Sequence, residues 1–225
     1  MFSRAVDVLV ADLSAIEIDE GVLSVAELKH SLDIAMSDEL PVYLAAHTWL
    51  RRRLAEYLEV PAESIEFGIG EQGKPIVEVP VTDLEFNFAY ADWTGVLAVA
   101  FRRKVGVDIR AVTGAELEPG EIARTLSPTE IQRYDDALNP IRTFLQFIVR
   151  KEALAKATGD GVLDDPRSMD VSGLSPVAVD DHVITDINLG DGFVAAVASQ
   201  PGLTINLTID TTAEGAALSF AAAAV

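Results

Sequence analysis

The sequence predicts an α+β fold made of two similar halves. In each half a helical stretch precedes about three runs of strand-forming residues, and turn-forming residues separate these runs. The chain has 225 residues, 49% of them hydrophobic, which is enough for one large domain or two small ones with packed cores. We divide it into an N-terminal lobe (1–104), a C-terminal lobe (105–210) and a low-complexity tail (211–225).

The first half is predicted to begin with a strand and continue with a helix and three further strands. A β-branched run at 6–10 is typical of a strand. Residues 37–40, Ser-Asp-Glu-Leu, resemble a helix N-cap with acidic first-turn residues, and the amphipathic pattern after them ends before Pro61. The further strands are expected at 65–69, 86–90 and 96–101, the last two as a hairpin around an Asp-Trp-Thr-Gly turn.

The second half is predicted to begin with a strand at 105–109, followed by a helical segment at 119–126. Ser-Pro-Thr-Glu at 127–130 has the pattern of a capping box with proline at the first helical position. An Asn-Pro pair at 139–140 then opens a long helix, which we expect to run to about residue 158 and to end at Gly159. Three more strands are expected at 177–179, 183–189 and 194–198.

Charge and composition exclude several classes of function. The chain has 17 basic and 36 acidic residues and a formal net charge of −19, which disfavours binding to nucleic acid or to an anionic membrane. It has no cysteine, which excludes disulfides, thiolate metal sites and thiol catalysis. No apolar run reaches the roughly 20 residues that span a bilayer. The acidic N-terminus does not resemble a secretory signal, and we expect a cytoplasmic protein.

The strand at 105–109 carries the first candidate carboxylate. Side chains alternate across a strand, so Gly106, Asp108 and Arg110 share one face and the apolar residues share the other. A carboxylate beside a glycine, on the face opposite the core residues, could meet a ligand closely. The alternative is a solvated strand face on which Asp108 pairs with Arg110, and the strand alone favours this alternative.

The long helix carries the second candidate carboxylate. An apolar stripe at positions 141, 144, 145 and 148 runs on into Glu152 and Lys156. A carboxylate at the end of a core-facing stripe must be paired, hydrated or metal-bound, because an unpaired buried charge is costly. The alternative is an ordinary i,i+4 pair between Glu152 and Lys156, which contributes about 0.3–0.5 kcal/mol.

Together the two motifs resemble the 4′-phosphopantetheinyl transferase family. Val-Gly-Val-Asp-Ile at 105–109 is similar to the family's G-[VI]-D-[IV]-E motif, and Lys-Glu-Ala-Leu-Ala-Lys at 151–156 to its W-x-x-K-E-[AS]-x-x-K motif. Gly-Lys-Pro at 73–75 and the hairpin at 84–101 match further family elements in the same order. The resemblance covers 38–198 and is closest to the larger, surfactin-synthetase-type branch. It implies a monomer whose two lobes are related by pseudo-twofold symmetry, with the active site in the cleft between them.

The resemblance also implies a reaction. The phosphopantetheinyl arm of coenzyme A, the co-substrate, would pass to a serine of an acyl, polyketide or peptidyl carrier protein, and 3′,5′-ADP would leave. Asp108 and Glu152 would hold Mg²⁺ as the cofactor, since this ion prefers carboxylate and phosphate oxygens. Glu152 or a metal-bound water could also accept the serine proton, and Lys156 could neutralise the leaving phosphate. The residues implied to bind the co-substrate are Lys74, Pro75, Tyr90, Lys151 and Lys156.

The sequence departs from the family pattern at several positions. Ala89, Tyr90 and Ala91 stand where the family has S-H-S, so a histidine that contacts the diphosphate is replaced by a neutral phenol. Arg110 stands where the first motif often has a third carboxylate. Two alternatives therefore stay open: an impaired relative that binds carrier protein or nucleotide without transfer, and an unrelated Mg²⁺-dependent phosphohydrolase.

The basic residues fall in three short runs, at 51–53, 102–104 and 150–151. Two of these runs adjoin the family motifs. A basic rim around the cleft would attract acidic carrier proteins, which the net charge of the whole chain would otherwise repel. The alternative, in which the arginines solvate the ends of helices and strands, is equally consistent with the sequence.

Overall fold

The computed structural model describes residues 4–70, 73–159 and 165–210. Within these ranges the chain forms five α-helices and ten strands. The helices are α1 (Val25–Asp33), α2 (Glu39–Leu58), α3 (Glu121–Thr125), α4 (Pro128–Asp135) and α5 (Pro140–Thr158). The strands are β1 (Ala5–Asp12), β2 (Glu66–Ile69), β3 (Pro75–Val79), β4 (Leu84–Ala91), β5 (Thr94–Phe101), β6 (Val105–Ala111), β7 (Val177–Val179), β8 (His182–Ile187), β9 (Phe193–Ser199) and β10 (Thr204–Asp210).

Two four-stranded sheets pack face to face, and a long helix covers the outer face of each. The strand orders are β10-β1-β5-β4 and β6-β9-β8-β7. Helix α2 packs on the first sheet through residues such as Trp49 and Leu54, and α5 packs on the second through Phe144 and Leu154. Valine and alanine side chains from both sheets form one cluster between them. The layers therefore run helix, sheet, sheet, helix, which confirms the predicted α+β class.

The last strand returns to the first sheet. β10 pairs in parallel with β1, from Ala5 opposite Thr204 to Ala11 opposite Asp210. It falls within the range assigned from the sequence to the C-terminal lobe (105–210), so the first sheet takes strands from both predicted lobes. The lobe boundary at 104/105 and the pseudo-twofold relation stay predictions. The predicted tail (211–225) lies outside the described residues.

Most of the elements predicted from local signals are observed. The hairpin of β4 and β5 turns at Asp92 and Trp93, and α4 begins with the predicted capping box of Ser127 and Glu130. Gly159 ends α5 with a φ of 82°. Helix α1 was not predicted, although Ser24 and its N3 residue form a capping box at its start. No helix in the described parts of the chain is long and apolar enough to cross a membrane.

Candidate active site

Strand β6 and helix α5 come into direct backbone contact at Gly106. A Cβ atom there would lie 2.1 Å from the carbonyl oxygen of Ala153 and 2.4 Å from the amide nitrogen of Ala157. Only a residue without a side chain allows the helix to rest on the strand at this point. The helix backbone fills the space beside this glycine, so that space is not open to a ligand.

Asp108, two residues further along the same strand face, is buried against α5 with 6% exposure. Its Oδ1 accepts a hydrogen bond from Nζ of Lys156 at 2.7 Å, and Nε of Arg110 lies 3.4 Å from its Oδ2. Lys156 also donates to the carbonyl oxygen of Val107 at 3.1 Å. The strand face is thus not solvated at Asp108, although the expected contact with Arg110 is present. Two partly exposed cations compensate the buried carboxylate.

Glu152 lies at the half-buried margin of α5 rather than on its core-facing side. The predicted apolar stripe is only partly correct, because Phe144 is buried while Ile141 is exposed and Ile148 is half-buried. The described residues offer Glu152 no hydrogen-bond or ion-pair partner. The alternative i,i+4 pair with Lys156 is not formed either, because that ammonium group bonds to β6 instead.

Lys156 neighbours both candidate carboxylates, Glu152 along the helix and Asp108 on the strand. Glu152 precedes Lys156 by one helical turn, so the two side chains share a face of α5. Lys156 in turn reaches the Asp108 carboxylate. We group the three residues as a cluster in which the Asp108 carboxylate is paired and buried, whereas the half-buried Glu152 carboxylate has no partner among the described residues. This cluster is the candidate active site.

Lys151 lies elsewhere, which disagrees with its predicted role as a diphosphate-binding residue. It is 2% exposed, and its Nζ donates to Oε2 of Glu130 at 2.6 Å and to the carbonyl oxygens of Thr125 and Pro166 at 2.8 and 2.6 Å. An ammonium group has three N–H donors, and all three are used. Lys151 thus ties α5 to α4 and to the segment that follows α5, and has no donor left for a ligand.

Two of the three basic runs, 150–151 and 51–53, also contain a buried arginine. Arg150 makes two parallel hydrogen bonds to Asp186, Nε to Oδ1 at 2.8 Å and Nη2 to Oδ2 at 2.6 Å. Arg51 is fully buried and its Nε donates to Glu27 at 2.7 Å. These guanidinium groups hold segments of the chain together, so they do not contribute to a basic rim.

The candidate residues of the first half lie near β6 or at the end of β4. Nζ of Lys74 donates to the carbonyl oxygen of Val105 at 3.0 Å and lies 3.6 Å from Glu85. Burial lowers the pKa of Lys74, against the opposing effect of the Glu85 carboxylate. Pro75 is the exposed first residue of β3. The structure therefore brings Lys74 to the strand that carries Asp108.

Tyr90 lies in β4 and is 38% exposed. Its ring packs 5.7 Å from that of Phe88, centroid to centroid. Burial, followed by the nearby carboxylate of Glu39, raises the pKa of Tyr90, so its hydroxyl stays protonated and can donate a hydrogen bond. No contact within the described ranges joins it to Asp108, Glu152 or Lys156.

Asn87 is a polar residue near the site that was not singled out from the sequence. It is 7% exposed in β4, and its Oδ1 accepts a hydrogen bond from the backbone N–H of Val107 at 2.8 Å. The signal in the sequence is one amide side chain between Phe86 and Phe88 in an apolar strand. A buried amide must find a partner, and this one finds it in the second sheet.

The donor set fits a magnesium ion that substrate oxygens complete. Among the described residues no group of three or more His, Cys, Asp or Glu side chains could hold a metal. Magnesium at phosphate-handling sites, however, needs only one or two carboxylates together with phosphates and water. Asp108 and Glu152 supply two such carboxylates, and both oxygens of Glu152 are free of partners in the described structure. A closed site built from protein ligands alone does not fit these residues.

The comparisons with known proteins bear on the same region. Residues 104–198 match the family model of the 4′-phosphopantetheinyl transferase superfamily. This part of the chain, somewhat less than half of its length, is similar to that superfamily. It contains β6 and α5 and therefore every member of the candidate site cluster. The superfamily predicted from the sequence is confirmed, whereas the surfactin-synthetase-type branch stays a prediction.

Two curated relatives are named as 4′-phosphopantetheinyl transferases. The 4′-phosphopantetheinyl transferase HetI of Nostoc sp. is 28% identical over 126 residues, which are 53% of this chain and 52% of the relative. The 4′-phosphopantetheinyl transferase Gsp of Aneurinibacillus migulanus is 30% identical over 115 residues, 50% of this chain and 46% of the relative. The chain thus spans about half the length of the curated relatives it matches.

Proposed function

We propose that this protein transfers the phosphopantetheinyl arm of coenzyme A to a serine of an apo carrier protein, in a Mg²⁺-dependent reaction. The observation that carries the proposal is the cluster of Asp108, Glu152 and Lys156, formed where α5 rests on β6. It lies within the residues that match the superfamily. The acceptor would be an acyl, polyketide or peptidyl carrier protein. The monomeric state and the cytoplasmic location remain predictions from the sequence.

In this proposal Asp108 and Glu152 hold Mg²⁺ from two different elements. When bound, the ion would compensate the charge of the coenzyme A diphosphate and orient it. Glu152 is suited to this role because it has no competing partner in the described structure and is half-buried. Asp108 is suited because β6 and α5 fix it on two sides.

Lys156 would contact the diphosphate directly. Within the described residues two of its three N–H donors go to Asp108 and to the Val107 carbonyl, which leaves one for a phosphate oxygen. Its side chain is partly exposed, which leaves the ammonium group accessible. A fixed cation at this position stabilises the negative charge that develops on the leaving 3′,5′-ADP.

Glu152 would also accept the proton of the attacking serine. The serine oxygen bonds to the phosphorus on the pantetheine side, and the bond from that phosphorus to the bridging oxygen of 3′,5′-ADP breaks. The serine proton must leave as the new bond forms, and an unpaired carboxylate within reach is a suitable base. Glu152 is the carboxylate of the cluster that no cation neutralises within the described residues.

Lys74, Pro75, Tyr90 and Arg110 extend the proposed site beyond the cluster. The partly exposed guanidinium of Arg110 can contact a phosphate through two N–H groups. Lys74 and Tyr90 come from the first half of the chain and would contact more distant parts of coenzyme A. The Tyr90 hydroxyl offers a hydrogen bond but no positive charge. Lys151 is left out of the proposed site because its ammonium group is saturated.

Intact-protein mass spectrometry of the acceptor tests the proposal. Several apo carrier proteins are incubated with this protein, coenzyme A and Mg²⁺, and a member of the superfamily of known activity runs in parallel. We expect a mass gain of one phosphopantetheinyl arm on at least one carrier, lost when the metal is chelated. Unmodified carriers beside a working parallel reaction would contradict transfer. Phosphate release from coenzyme A without any carrier would support the phosphohydrolase alternative instead.

A further inference from the structure

Among the described residues, the strand that carries Asp108 pairs with another strand on one edge only. β9 pairs with one edge of β6, whereas β4, on the other side, belongs to the first sheet and forms no ladder with β6 in the described structure. Side chains bind the backbone groups of this open edge instead. The bonds run from Val107 N–H to Asn87 Oδ1 at 2.8 Å, from Lys74 Nζ to Val105 O at 3.0 Å and from Lys156 Nζ to Val107 O at 3.1 Å.

Asn87 supplies the buried bond among these three. Its acceptor satisfies the backbone N–H of Val107, the residue that directly precedes Asp108. A buried backbone N–H without a partner is costly, so this bond fixes the separation of β4 and β6 at that residue. Because the amide oxygen faces Val107, the orientation of the Asn87 side chain is fixed as well.

We infer that Asn87 is a positioning residue that holds β6 so that the Asp108 carboxylate stays beside α5. The inference rests on the proposed function in taking Asp108 as a metal ligand. Glu152 and Lys156 come from α5, which Asn87 does not bond to in the described structure. Loss of the Asn87 acceptor should therefore shift Asp108 relative to the other two residues while all three remain in the chain.

Asn87→Leu tests this role, because it removes the acceptor and nearly conserves the side-chain volume. Ser175→Ala is the matched control. Oγ of Ser175 accepts a hydrogen bond from the backbone N–H of Asp186 at 2.8 Å. This variant therefore also deprives one backbone N–H in a strand of the second sheet of its side-chain acceptor. Asp108 and Asp186 lie directly opposite Ala196 on its two neighbouring strands, so the two positions are at the same level across the sheet.

The measurement is the affinity for Mn²⁺, which replaces Mg²⁺ because it also prefers oxygen ligands. Electron paramagnetic resonance monitors Mn²⁺ binding in the presence of coenzyme A. Hydrogen exchange of the peptide that contains Val107 and the kcat and KM of transfer are measured on the same samples. We expect Asn87→Leu to weaken Mn²⁺ binding by about tenfold or more, as loss of an outer support of a metal ligand typically does. We expect kcat to fall by a larger factor than the factor by which KM changes. We also expect hydrogen exchange at the backbone N–H of Val107 to become faster.

Ser175→Ala should leave Mn²⁺ binding and kcat close to those of the wild type, even if its melting temperature falls similarly. Equal Mn²⁺ affinity in the two variants, or no Mn²⁺ binding by the wild-type protein, would overturn the positioning role. If Asn87→Leu does not fold, Asn87→Ser replaces it, because its shorter hydroxyl cannot span the distance to Val107. Failure of transfer is a separate result: a wild-type protein that binds Mn²⁺ in an Asn87-dependent way but modifies no carrier would overturn the proposed function and leave this role intact.

Discussion

Lys151 and Lys156 lie five residues apart on one helix, but their ammonium groups have different surroundings. Lys151 is enclosed by Glu130 and two carbonyl oxygens, whereas Lys156 uses only two of its three donors among the described residues. Charge alone therefore does not make a lysine part of a site. What matters for ligand binding is whether the protein leaves the ammonium group an unused N–H and a path to solvent.

Lys151→Met should destabilise the fold without removing a group that acts in transfer. The substitution leaves Glu130 buried without its cation, and breaking a buried ion pair in this way costs about 3–5 kcal/mol. Chemical denaturation measures the free energy of unfolding, and transfer is then assayed at a temperature where the variant is folded. Lys104→Met is the control, because the Lys104 ammonium is exposed where it bonds to Thr158. A stable but inactive Lys151→Met protein would restore the predicted contact of Lys151 with the diphosphate.

Glu27 gives the fold a dependence on pH. Burial would raise the pKa of Glu27, but hydrogen bonds from His47 and Ser24 and the charge of Arg51 hold the pKa at about 2, below the ordinary value of 4.5. A carboxyl whose pKa is lowered in the folded state stabilises that state above its unfolded pKa. This stabilisation is therefore complete above about pH 4.5 and is lost as the pH falls from there toward 2.

Glu27→Gln should lower the free energy of unfolding at pH 7 by about 3 kcal/mol and weaken its fall below pH 4.5. Unfolding by denaturant at several pH values between 7 and 3 measures both effects. Glu63→Gln, at an exposed position, is expected to behave as the wild type does. A Glu27→Gln protein with the wild-type pH profile would show that another group carries the dependence.

At the scale of elements, the contact of α5 with β6 positions the candidate site. Gly106→Ala would place a Cβ against the helix backbone, which cannot move aside as a flexible side chain can. We expect a loss of about 1–3 kcal/mol in stability, the usual cost of overpacking, and a lower rate of transfer because α5 shifts relative to Asp108. Thermal unfolding and the mass-spectrometric assay measure the two effects.

Gly192→Ala is the matched control for this substitution. A Cβ at Gly192 would have no heavy atom within 4 Å, and the backbone there has no positive φ. The same change of residue should therefore have little effect. If the two variants were equally stable and equally active, the close approach of α5 to β6 would not be what positions the site.

The elements that local signals define could be predicted from the sequence, and those that long-range contacts define could not. The start of α5 at Asn139 and its end at Gly159 depend on residues adjacent in the chain. The exposed side of the same helix could not be predicted, since neighbouring elements cover α5 on most sides and the apolar pattern does not mark one face. The partner of Lys151 is 21 residues away, and Asn87 bonds a strand of the other sheet.

At the scale of the whole molecule, two helix-covered sheets meet through an apolar layer, and the candidate site lies within the second sheet and its helix. The first sheet contributes to it through the bonds of Asn87 and Lys74 to β6. The chain has a net charge of −19, and several of its basic side chains, among them Arg52, Arg53 and Arg102, form ion pairs within the chain. In the proposed reaction an acidic carrier protein would have to dock against this acidic protein, so we expect the rate of transfer to depend on ionic strength.

The most direct test of the account is the rate of arm transfer by Glu152→Gln, measured by intact mass of the carrier protein under single-turnover conditions. Glu152 has no partner in the described structure, so the substitution should leave the melting temperature unchanged while removing the proposed metal ligand and base. We predict a fall in rate of at least about 100-fold, with Glu63→Gln at the wild-type rate. A folded Glu152→Gln protein that transfers the arm as fast as the wild type would contradict the assignment of the site.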